Sequence, residues 1–163
     1  TWLWDELTYF DYVIYCPSLT IELPDNITVA CGVDALSHLL ESIMSLKFDT
    51  CNLDLCNLGI ESIWLSLPKL IENNKNIEER TNMLLGSGIA GKAIHFTGCG
   101  ICHCIAHTLG SLTRVPHGVA ISYALFHTIE PVLKYQDELL SRFKGCFENT
   151  SAVSLSKLIQ DCQ

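Results

Sequence analysis

Gly98 to Gly118 reads GCGICHCIAHTLGSLTRVPHG and holds three of the chain's six histidines. His103 and His107 are four apart, so on a helix both imidazoles leave the same face, one turn above the other. Pro116 blocks helix continuation and turns the chain, which lets His117 come back toward the first two. A second stretch, CGVDALSHLLES from Cys31 to Ser42, repeats the four-residue spacing with Asp34 and His38. Each pair alone also suits an ordinary buried or capping arrangement. Together they offer imidazoles and a carboxylate from two helices and a turn, an N/O donor set suited to a divalent transition metal.

Outward from these two stretches the pattern is helical. After Pro24, Asp25 and Asn26 supply helix-start chemistry, and Val29 through Leu46 carries apolar residues at helical intervals. The next helix is expected over Leu53 to Ile71, with Ile60, Ile63, Trp64 and Leu67 on one core-facing stripe. Glu72 to Glu78 is a polar loop before a helix over Glu79 to Ile94. There Gly86, Ser87, Gly88, Ala90 and Gly91 weaken helix propensity but permit close backbone approach. Further helices are expected over roughly Gly118 to Leu133 and Asp137 to Phe147, with a last amphipathic stretch from Val153 to Ile159. Tyr9 to Tyr15, aromatic and β-branched, predicts a short strand stopped by Pro17. Thr1 to Leu7 carries no clear signal beyond tryptophans 2 and 4, expected to pack. Helix following helix with one N-terminal strand predicts an all-α bundle, with a site built between facing helices.

Composition narrows the function. Ten basic against eighteen acidic residues give a net charge of −8, which repels nucleic acid and anionic lipid. Hydrophobic residues are 48% and charged ones 17%, implying extensive burial and a face meant for a partner, including a second copy. Between Lys92 and Arg114 no residue is formally charged, but histidines, glycines and threonines make that span a buried polar site and not a membrane helix. Nine cysteines is an odd count, and the N-terminus shows no basic-then-apolar leader. The expectation is reduced thiols in a cytoplasm, where the Asn-x-Ser/Thr matches at Asn26 and Asn149 carry no glycosylation meaning.

GVDALSHLLES from Gly32, AGKAIHFTGCGICHCIAHTLG from Ala90 and RVPHGVA from Arg114 resemble the signature regions of the iron-containing (group III) alcohol dehydrogenases, in the same order. YVIYCPSLTIELP from Tyr12 resembles the family's passage from its nucleotide domain into its helical domain. The resemblance is continuous from about Tyr12 to Ala124. It implies that Asp34, His38, His103 and His117 are metal ligands and that His107 lies beside the metal and relays a proton. It implies Fe2+, with Zn2+ as the substitute after aerobic handling, and NAD or NADP in the complete enzyme. The implied activity is interconversion of small alcohols and aldehydes. On this reading residues 1–24 lead in from a nucleotide-binding domain that the chain lacks, and 25–163 are a helical metal-binding domain that ends early. No G-x-G-x-x-G follows a strand here. Ile94, His95 and the region Phe126 to Val132 depart from the family pattern, so the substrate does not carry over.

Cys99-Gly100-Ile101-Cys102-His103 is also literally the c-type haem attachment pattern. Covalent haem needs export and a second axial ligand, and the resemblance gives His103 a different role. A thioredoxin-like reading lacks its βαβ context. Cys16, Cys31, Cys51, Cys56, Cys104, Cys146 and Cys162 are expected as buried thiols. Glu41, one turn after His38, is placed to orient a ligand from behind, but the expectation is an exposed helix glutamate. The alternative functions are a catalytically silent metal-binding or subunit-association module, and a relative of glycerol dehydrogenase or dehydroquinate synthase.

Overall fold

Pro24 presets the backbone ahead of the first helix, its carbonyl accepting from Thr28 N–H at 2.9 Å, and Asp25 places a carboxylate in the first turn. The computed structural model describes residues 5–8 and 10–134. It has five α-helices: α1 Asp25–Met44, α2 Leu53–Glu72, α3 Ile77–Thr97, α4 Ile101–Thr113 and α5 His117–Lys134. Short 3-10 turns span Glu6–Thr8, Pro17–Thr20 and Thr50–Asn52. The expected bundle is present. The expected helices over Asp137 to Phe147 and Val153 to Ile159, and tryptophans 2 and 4, lie outside the described residues.

α1 runs through the middle. Val33, Leu36, Leu39, Leu40 and Ile43 are buried, so apolar residues leave the helix on several sides, as expected of a helix wrapped by neighbours. It packs against α2 and α3, against α5, and sparingly against α4. It is long and apolar enough to cross a membrane, yet here it is the core helix, with Asp34, His38 and Glu41 turned inward. The α2 stripe is confirmed, with Ile60, Ile63 and Leu67 buried and Trp64 packed partly against the core.

α3 begins two residues before its expected start because Asn76 caps it, its side chain accepting from Glu78 and Glu79 N–H. Its small residues have separate uses. A Cβ at Gly86 would stand 2.5 Å from Ile63 Cγ1 and 3.0 Å from the Gly59 carbonyl oxygen of α2, and one at Gly88 would overlap the Tyr15 ring. Gly91 meets nothing within 4 Å. The literal G-x-G-x-x-G formed by Gly86, Gly88 and Gly91 therefore sits within a helix, where its first two glycines serve packing.

The strand expected over Tyr9 to Tyr15 is not formed. Residues 10–15 hold no ladder, and Phe10, Tyr12 and Ile14 are 86%, 87% and 88% exposed. Aromatic and β-branched residues make a strand only where another strand takes up their backbone groups, and none stands beside them among the described residues. The expected burial of the cysteines is also corrected. Cys56 is buried, whereas Cys16, Cys31, Cys51 and Cys104 are exposed; Cys146 and Cys162 lie outside the described residues. A thiol's apolarity does not choose its helix face, and Cys104 leaves α4 beside His103 but outward.

Candidate metal centre

Three elements converge on one carboxylate oxygen. Asp34 and His38, one turn apart on α1, place Oδ1 and Nε2 3.7 Å apart. His103, in the first turn of α4, brings its Nε2 to 3.5 Å from the same oxygen. His117, the first residue of α5, brings its Nε2 to 3.5 Å. It arrives there because α4 ends in a left-handed Arg114 with φ 60° and Pro116 then redirects the chain into α5. Gly118 permits the approach, since a Cβ there would lie 2.7 Å from the Ala30 carbonyl oxygen of α1.

Asp34 Oδ1 is buried and has no hydrogen-bond partner. At 3.5–3.7 Å the three imidazoles are too distant to hydrogen-bond it. Such spacing does suit atoms sharing an ion, since ligands bonded at about 2.0–2.1 Å stand roughly 3.3–3.4 Å from one another at tetrahedral angles. The donor set fits a divalent transition metal on that ground. His38 Nε2 and His103 Nε2 are closer, at 2.6 Å. Around an ion they would part by roughly 0.7 Å.

Burial opposes the charge on Asp34, but His103, His38 and His117 outweigh it and hold the carboxyl below its ordinary range. Burial lowers His38. Burial also works against a charged His103, yet its contacts with Asp34 and Glu41 prevail and push it up to about 9.

Glu41 is the residue that the sequence reading placed wrongly. It is buried, on α1, with one oxygen accepting from Cys102 N–H at 2.6 Å and the other from Gly100 N–H at 2.9 Å and from His103 Nδ1 at 2.6 Å. It caps α4 across the interface and orients the His103 ring, so that Nε2 is the atom left facing Asp34 and His38. Burial disfavours its charge, but these donors together keep it ionised below its ordinary range. Its signal was available: 34, 38 and 41 share one face of α1. Gly100 is small because a Cβ there would stand 2.6 Å from Glu41 Oε1.

His107 lies one turn beyond His103, exposed, with its ring centroid 6.1 Å from that of His103 and 5.2 Å from that of His117. It adjoins the cluster, while Asp34 Oδ1 faces His38, His103 and His117. The haem-like cysteines diverge. Cys102 is buried and its thiol, pushed far up by burial, donates to the Ile121 carbonyl oxygen at 3.6 Å. Cys99 is exposed in the loop between α3 and α4, with Sγ within 4.8 Å of ring nitrogens of His38 and His103.

Residues 28–160 match the sequence profile of the Fe-containing alcohol dehydrogenase family, C-terminal. Maleylacetate reductase 1 of Cupriavidus pinatubonensis is 31% identical over 144 residues, covering 86% of this chain and 41% of that protein. The 1-propanol dehydrogenase PduQ of Citrobacter freundii is 33% identical over 127 residues, covering 78% of this chain and 34% of that protein. The crystal structure of maleylacetate reductase from Rhizobium sp. strain MTP-10005 superposes with a TM-score of 0.82 at 21% identity, covering 91% of this chain and 42% of that one, and so shares its fold. The chain thus spans about two fifths or less of the relatives it matches.

Proposed function

The chain belongs to the Fe-containing alcohol dehydrogenase family, and from that premise we propose that it is the metal-holding helical part of an NAD- or NADP-linked oxidoreductase interconverting small alcohols and aldehydes. The observation that carries this reading is the buried Asp34 Oδ1, without a hydrogen bond and faced by three imidazole Nε2 atoms. Asp34, His38, His103 and His117 hold the metal. When bound, a divalent metal supplies Lewis acidity toward the substrate oxygen, and a nicotinamide supplies or accepts the hydride.

The chain's own residues supply the rest. Glu41 holds the His103 ring in place from behind. His107, exposed beside His103 and His117, exchanges the hydroxyl proton of the substrate with solvent. Iron is the native metal, and zinc replaces it during aerobic handling because zinc binds N/O donors more tightly than iron. Residues 1–163 alone hold metal but do not turn over. Fixing a dinucleotide beside the site is worth roughly 7–11 kcal/mol of barrier, which collision from solution does not replace.

Anaerobic purification followed by elemental analysis tests the reading. A competent site fills to near one equivalent, and less than about a tenth of an equivalent of any transition metal would overturn it. Turnover of short alcohols by residues 1–163 with added NAD or NADP, abolished by chelator, would overturn the assignment of cofactor positioning to the rest of the protein.

A further inference from the structure

The C-x-x-C-H pattern is divided by the fold between two environments. Cys102 is committed to the core and to the Ile121 carbonyl. The Glu41, Cys102 and His103 donors also lie close together, but they are spent on one another and on the backbone. Glu41 already accepts from Gly100, Cys102 and His103. Cys99 differs. No hydrogen bond is formed by its thiol among the described residues, and Sγ lies within 4.8 Å of ring nitrogens of His38 and His103, which themselves approach within 2.6 Å.

We propose that Cys99 is a fifth donor of this metal centre and binds the ion through Sγ in the resting protein. The inference rests on the ligand assignment of Asp34, His38, His103 and His117. Ligand atoms with metal bonds of about 2.3 Å to sulfur and 2.0 Å to nitrogen stand roughly 3.5 Å apart, so a separation within 4.8 Å closes by a rotamer change or a shift of about 1 Å. The Cys99 side chain has room to turn, because it is exposed and follows Gly98, at φ 72°, ahead of the Gly100 amide that Glu41 anchors.

As the sulfur–metal bond forms, the thiol proton leaves to solvent and the oxidation state of the ion is unchanged. Two properties follow. A thiolate beside imidazoles favours transition ions such as iron(II) and zinc over the harder magnesium and calcium. The bound sulfur also occupies a coordination position that a substrate oxygen would otherwise take, so substrate entry displaces it.

Cobalt(II) substitution tests this in the full chain. The expected result is one cobalt per chain, with a near-ultraviolet thiolate-to-cobalt charge-transfer band. Cys99→Ser retains the cobalt and loses the band, while Cys104→Ser, altering an exposed thiol beside His103, retains both. Alkylation of Cys99 by N-ethylmaleimide, followed by peptide mass, slows on the order of tenfold when cobalt is bound, with Cys31 unaffected. One cobalt without a charge-transfer band, or a band that survives Cys99→Ser, overturns the Cys99 assignment and leaves the four-ligand centre standing. Failure to bind cobalt at all overturns the centre, and the thiol proposal with it.

Discussion

Glu41, on α1, serves α4 twice with one carboxylate, closing its N-terminus and orienting the His103 ring. Glu41→Gln keeps the shape but loses the charge, and is expected to weaken metal binding about 10–100-fold, read by competition with a chromophoric chelator. In the complete enzyme, His103→Ala should lose metal and activity together. His107→Ala should keep metal and lose roughly 10²–10⁴ in rate, with an altered pH profile; metal loss from His107→Ala with retention in His103→Ala would reverse the assignment. The metal-free chain has its own pH dependence. His103 is raised from 6.5 to about 9, so its stabilising proton is fully present below 6.5 and lost as pH rises through 9. Thermal melts in chelator should shift downward across that window. Metal-loaded protein should shift the other way, because binding displaces the same proton. That Asp34, His38, His103 and His117 come together was legible because helical spacing and a proline act locally, whereas the choice of His103 over His107 as a ligand rested on the family resemblance. Glu41 was legible only as sharing their face of α1, since its partners lie about sixty residues away and a lone helix glutamate is ordinarily solvated.

At the level of elements, α4 is fastened by its first turn, where Gly100 leaves just enough room for Glu41. Gly100→Ala has no backbone objection at φ −108°, but its Cβ would drive Glu41 from the Gly100 and Cys102 amides. The loss resembles that of a helix cap, about 0.5–2 kcal/mol, and should appear in thermal unfolding together with weaker metal binding. Gly86→Ala should cost about 1–3 kcal/mol by overpacking α2 against α3, without changing metal affinity, because the contact with Ile63 and the Gly59 carbonyl is remote from the site. Equal losses of metal affinity in both variants would show that the site responds to general stability and not to Glu41. Four of the five described helices were readable from apolar period and from punctuation at Pro24, the polar 72–78 run and Pro116, while α4 entered only through the four-residue spacing of His103 and His107. The strand over Tyr9 to Tyr15 misled because β-propensity records side-chain fit to a sheet, and the described residues provide no sheet.

Across the whole molecule, α1, α2 and α3 are joined by Leu36, Leu39, Ile60, Ile63, Leu67 and Ile89, and α5 adds Ile121, Leu125 and Ile129 from the other side of α1. α4 has much less apolar hold. It buries only Cys102, His103 and Ala106, leaves Ile101 54% and Leu112 78% exposed, leans mainly on α5, and touches α1 sparingly. Its attachment to the central helix is therefore polar, through Glu41 and, on the proposed ligand assignment, through an ion that His103 would share with α1 and α5. A ligand bound only by the folded state stabilises by about 2.7 kcal/mol at a hundredfold excess over Kd, and here that energy is placed where the apolar packing is thinnest. Chelation should then loosen the molecule unevenly. Amide exchange should accelerate first across 98–118, covering α4 and its two junctions, while the buried turns of α1 and α2 around Leu36, Leu39, Ile60 and Ile63 keep their protection. Uniform acceleration through all five helices would mean that the ion holds the entire bundle together. No acceleration at 98–118 would mean that Glu41 alone suffices to hold α4, and that the ion contributes to chemistry without contributing to the fold.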